Sequence, residues 1–102
     1  MDYRMKLDRI KPEIDNALIN IETYASCIAS LYEVSLYENL NYEEDFIAEM
    51  HNKQAELLYI VNNINDIAMH AMAVNDKGIV MECEDIKAKV VNVMERVRNL
   101  YM

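Results

Sequence analysis

The chain has 102 residues, 53% of them hydrophobic, with one Gly, one Pro, two Cys, no Trp and a formal net charge of −8. A chain of this length builds one domain with a modest core, and this composition excludes a disordered polymer. One Gly is too little turn material for a β architecture, no apolar run approaches a membrane span, and the acidic balance opposes direct nucleic-acid binding.

Residues 1–11 carry four basic and two acidic residues. They lack the apolar core of a signal peptide, so the cytoplasm is the expected compartment. Tyr3, Leu7 and Ile10 share one helical face. Pro12 follows, and proline disrupts a helix interior but suits a first turn. The pattern therefore predicts a short helix over 2–10 and a longer one over 12–36, in line but offset by a kink.

The long first helix has an apolar stripe of Ile14, Ala17, Ile21, Tyr24, Ile28 and Leu31, widened by Leu18, Ala25 and Tyr32. Asp15, Glu22, Ser26 and Glu33 occupy the opposite face. Asn41 and Glu44 read as a capping box at the start of a second helix over 42–74. Two overlapping stripes run along it, Ile47/Met50/Leu57/Val61/Ile64/Ala68/Ala71 and Phe46/Met50/Leu57/Ile60/Ile64/Ile67/Ala71/Val74. A face that wide serves two neighbours, which predicts that this is the middle helix. Lys53 and Gln54 interrupt these stripes, where a polar side chain sets register or marks an edge.

Asn75–Gly78 reads as a turn in which Gly78 takes positive φ. The third helix, over 79–101, shows the heptad Ile79, Cys83, Ile86, Val90, Val93, Val97, Leu100. Short loops between long helices make sequential helices antiparallel. The prediction for residues 1–102 is a single all-α domain, an up-down-up three-helix bundle with a heptad-like core. At ~1.5 Å per residue the third helix ends near the level of Met50, so the corner joining the first two projects past it.

Charge is concentrated at that corner. From Pro12 to Glu49 there are nine acidic residues and no Lys or Arg, whereas residues 50–102 hold six basic and seven acidic. Glu33, Glu38, Glu43, Glu44, Asp45 and Glu49 surround Tyr37, Tyr42 and Phe46 there. Aromatic anchors ringed by like charge suit a basic protein partner, since aromatics carry interface energy and rim charges set the encounter rate. Those nine residues are the expected partner-binding set. Arg96 and Arg98 are expected nearby, and Arg4, Lys6, Arg9 and Lys11 are expected at the far end, close to Glu82, Glu84 and Asp85.

Other constellations carry less. Met69, His70, Met72, Met81 and Cys83 are soft ligand types, but Cys83 and the methionines fit core roles and His70 stands i+4 from Asp66. Glu82-x-x-Asp85 resembles the magnesium-binding helices of all-α nucleotide pyrophosphohydrolases. Those need a facing Glu-x-x-Glu helix, and this sequence contains none. No Ser-His-Asp context or phosphate loop occurs, so neither catalysis nor a metal or other cofactor is expected. Cys27 and Cys83 read as free thiols. The expected function is thus a non-catalytic acidic interaction module. The alternatives are a nucleic-acid-mimicking inhibitor of a nucleic-acid-binding enzyme, or a homodimer built on Ile19, Leu58 and Tyr59 outside the stripes.

Overall fold

The computed structural model describes residues 3–102, which form α1 (Tyr3–Tyr37), α2 (Glu43–Ala73) and α3 (Lys77–Arg98), with no strand among them. The expected start at residue 2 lies outside the described residues. Each helix packs on both others, in a rod of 57 × 19 × 18 Å. α1 and α3 run parallel, because Arg4 and Lys11 both meet Glu82 while Glu22 meets Arg96. α2 returns antiparallel between them in sequence.

The buried seam of α3 is Ile79, Cys83, Ile86, Val90, Val93 and Val97, six of the seven expected positions. Leu100 falls in the turn after the helix and is partly exposed. On α2 the core takes Phe46, Met50, Leu57, Val61, Ile64, Ile67 and Ala71, drawing from both stripes, while Val74 stands in solvent. On α1 the seam is Leu7, Ile14, Leu18, Ile21 and Ala25, extended by half-buried Ile28 and Tyr32 and by buried Ser35. Tyr24 and Leu31 are exposed, so the seam combines Ile14, Ile21 and Ile28 of the main stripe with Leu18, Ala25 and Tyr32 of the widening set.

Pro12 does not divide α1; the helix runs unbroken through it. Proline removes a backbone N–H and crowds the carbonyl four residues back, at a cost of ~3 kcal/mol in an interior turn. Tertiary contacts hold the helix on both sides. Leu7 is fully buried one turn before the proline, and Arg4 and Lys11 both reach Glu82 of α3. Pro12 itself is exposed, which leaves the crowded carbonyl toward water.

Both connections end their helices in the same way. Asn39 has φ 59° and Asn75 has φ 60°. After α1, Leu40 N–H donates to Ser35 O at 2.9 Å and Asn39 N–H to Leu36 O at 3.2 Å. After α2, Asp76 N–H donates to Ala71 O at 2.9 Å and Asn75 N–H to Met72 O at 3.1 Å. This paired 6→1 and 5→2 bonding is the Schellman cap, with asparagine at the left-handed position. Gly78 is therefore not the turn residue; it is helical, within the first turn of α3. Asp76 caps that helix, its Oδ1 accepting Ile79 N–H at 3.2 Å. The capping box expected at α2 is not formed. Tyr42 is the N-cap without a side-chain bond, and Asn41 Oδ1 accepts Glu43 N–H at 3.4 Å instead.

Candidate functional site

α3 ends where Tyr101, in the turn after it, sets its ring edge against His51, centroids 5.8 Å apart at 70°. Arg96, shortly before, lies level with Glu22 of α1. Past these contacts α1 and α2 continue alone as a two-helix hairpin. On α2 that projection runs from Glu43 to Met50, eight residues or ~12 Å of helix.

The hairpin is held from within by one aromatic pair. Tyr32 and Phe46 stack with centroids 4.3 Å apart and planes 1° from parallel. Phe46 is only 6% exposed. Its ring is thus committed mainly to the fold, lining a groove with Leu31 and Tyr42. Below it Met50 is fully buried, and at the turn Ser35 Oγ donates to Tyr32 O at 2.7 Å.

Around that pin the other expected site residues stand outward. Tyr37 is 90% exposed and Tyr42 is half-exposed, the Tyr42 carbonyl accepting Phe46 N–H at 2.9 Å. Glu33, Glu38, Glu43, Glu44 and Asp45 are exposed. Glu49 is half-buried and accepts the Tyr24 hydroxyl at 3.4 Å. Among the described residues no cation pairs with Glu33, Glu38, Glu43, Glu44 or Asp45. Lys53, the first cation after the acidic stretch, already covers the Tyr24 ring at 4.4 Å and bonds Glu56 at 3.1 Å.

The two arginines expected to neutralise the tip do not reach it. Arg96 grips Glu22 with both arms of its guanidinium, Nε at 2.6 Å and Nη2 at 3.1 Å. Arg98 lies beside Gln54, Val91 and Tyr101, below the tip. The tip is therefore more acidic, and less paired, than the sequence suggested. It is also apolar. Leu31, Val34, Leu36 and Leu40 are all exposed there, and Val34 was outside every stripe.

Charge is matched at the opposite end. Glu82 accepts hydrogen bonds from Lys11 at 3.0 Å and from Arg4, which together hold its carboxyl below the usual glutamate range against the opposing effect of burial. His70 stacks on Tyr3 at 4.9 Å rather than meeting Asp66. Cys83 is buried, while Met69, Met72 and Met81 point into solvent, so these soft side chains do not converge. Burial pushes the Cys83 thiol pKa up, with Glu82 and Glu84 adding to the shift. That favours the inert protonated form.

Comparison with known proteins found no matching family model, no matching curated protein and no matching solved structure.

Proposed function

We propose that this protein is a non-catalytic interaction module that docks a basic protein partner on its α1/α2 hairpin tip. The observation that carries the reading is the coincidence, beyond the end of α3, of five carboxylates that pair with no cation among the described residues with exposed Tyr37, Tyr42, Leu36 and Leu40. Apolar side chains there supply burial on association, and the carboxylates steer a cationic surface toward them. An apolar patch ringed by one sign of charge is unusual on a chain that needs only to remain soluble.

The test is capture from a lysate with identification by mass spectrometry, comparing the natural chain with Glu43→Lys, Glu44→Lys and Asp45→Lys combined. Basic proteins are expected on the natural chain and not on the variant, with capture falling as salt rises. Equal capture by the two chains overturns the reading. Displacement of the captured protein by duplex DNA converts it to nucleic-acid mimicry.

A further inference from the structure

The hairpin tip continues the groove that α3 occupies. On α1, Leu18 and Glu22 line that groove together with Val93 and Arg96 of α3. Leu36 stands eighteen residues beyond Leu18, five helical turns, and so returns to the same azimuth. Ala29 is eleven residues beyond Leu18, about three turns, and joins the same line. On α2, Gln54 donates to the Met94 carbonyl of α3 and His51 meets Tyr101. Ile47 lies four residues before His51 and seven before Gln54, on that same face. Leu36 is 54% exposed and Ala29 and Ile47 are half-buried. The apolar floor under α3 therefore runs on for two to three turns past the contact of Tyr101 with His51.

The rim identifies what fits. Glu22 is the residue that receives Arg96 from α3. Glu33 is eleven residues on, at nearly the same azimuth, with no cation opposite it among the described residues. Across the floor, Glu43 and Glu44 open α2 on the other side. A second copy of this chain brings the same carboxylates to the same place, and like charges brought together oppose association. A helix whose apolar stripe is flanked by Lys or Arg repeats the contacts α3 already makes.

Resting on the functional reading above, we infer that the hairpin tip binds a single amphipathic helix with basic flanks, two to three turns of which seat on Ala29, Leu36 and Ile47 end to end with α3. Glu33 takes the place of Glu22 toward its first basic side chain. Glu43 and Glu44 face the opposite flank. The groove on the other side of the hairpin, between Leu31 and Tyr42, is not the seat; it is not continuous with the α3 seam and Glu49 in its wall is already engaged by Tyr24.

The test uses the full chain and a fluorescent synthetic helix with leucines at heptad core positions and lysines at the flanks. Saturable binding by anisotropy is expected, and a glutamate-flanked version of the same peptide is expected not to bind. Leu36→Asp should weaken binding at least tenfold. Leu31→Asp, in the other groove, should leave it within about twofold, one hot-spot contact corresponding to a tenfold or larger change. Thermal melts establish that both variants remain folded, as both sites are exposed. Equal sensitivity at Leu36 and Leu31, or no saturable binding up to about 1 mM, overturns the inference. If protein capture still depends on Glu43, Glu44 and Asp45 while Leu36→Asp changes nothing, the helix seat falls and the acidic module stands. If sedimentation shows a dimer that Leu36→Asp dissociates, the occupant is a second copy and the inference also falls.

Discussion

Gln54 offers the most direct test of the packing argument. Its Nε2 donates to the Met94 carbonyl at 2.9 Å, but its Oε1 is buried with no hydrogen-bond partner among the described residues. Leaving a buried carbonyl oxygen unpaired costs ~1–3 kcal/mol, and the single bond on the other side returns ~1 kcal/mol. Met94 sits inside α3, so its carbonyl keeps a place in the helix ladder if the glutamine is removed. Gln54→Met preserves length and helix propensity while removing both polar atoms. It should stabilise the bundle by ~1 kcal/mol, raising Tm by ~4–8 °C for a domain of this size. Gln54→Glu retains the shape but places a charge against a carbonyl, and should destabilise by ~2 kcal/mol at neutral pH. Urea denaturation followed by circular dichroism measures both, with an unchanged m-value showing that the unfolded reference is the same. A loss of ~1 kcal/mol or more on Gln54→Met would refute the reasoning, because it would mean that the seam uses the amide as a net stabilising contact.

Four further outcomes follow from named contacts. Pro12→Ala should stabilise by ~1–3 kcal/mol in thermal or urea unfolding, since the helix already passes through this exposed position without the lost N–H. Gly78→Ala should be neutral or stabilising by ~0.5 kcal/mol, as a Cβ there meets only Asp76 Oδ1 at 3.5 Å and Arg4 Nη2 at 3.7 Å, whereas Asn75→Ala at φ 60° should cost ~1 kcal/mol and Asn75→Gly should not. A thiol reagent should modify exposed Cys27 rapidly in the native state and buried Cys83 only as the chain unfolds. Because the Glu82 carboxyl is depressed in the folded state, its contribution is complete above the ordinary glutamate range of ~4.3 and is lost as pH falls through the folded value. Glu82→Gln should therefore melt lower than the natural chain at neutral pH and match it in strong acid; a constant difference across that range contradicts the assignment.

How far the fold was legible depended on whether apolar positions competed. In α3 the apolar neighbours Val80, Met81, Val91 and Met94 form no competing stripe, because Glu84 and Lys87 interrupt it, so the heptad could be read directly, down to Cys83 and Val97. In α1 two apolar lines lie side by side, Ala17/Tyr24/Leu31 and Leu18/Ala25/Tyr32, and periodicity does not rank them. The structure turns Ala25 inward and leaves Tyr24 at the edge, where its hydroxyl meets Glu49 and Lys53 covers its ring. The caps were misread for a related reason. Gly and capping-box rules point to Gly78 and Asn41, while the left-handed residues are Asn39 and Asn75, a role asparagine shares with glycine but shows less clearly in sequence.

The acidic tip was visible as a charge pattern and its projection from helix length, since a third helix starting after a short turn ends near Met50 and Tyr101 meets His51. Its lack of cations was not, because Arg96 is spent on Glu22. Ion pairs match that level. Glu82 sits between Arg4 and Lys11, opposite the turn of α1 that contains Asp8. Arg96 is fourteen residues beyond Glu82, and Glu22 is fourteen beyond Asp8, so one parallel register satisfies both ends of α3. Sliding α3 forward by one heptad would place Glu82 beside Asp15 and Arg96 beside uncharged Ala29. Exposed ion pairs contribute little to overall stability, yet a register error that replaces two attractions with a repulsion is disfavoured against an otherwise equivalent apolar seam. The pairs at Glu82 and Glu22 thus reinforce the level that the short connection after Ala73 and the 22-residue length of α3 already fix. With α3 ending at the level of His51, Leu36, Ile47 and Glu33 are left uncovered, and charge matched at one end of the bundle leaves a bare acidic surface at the other.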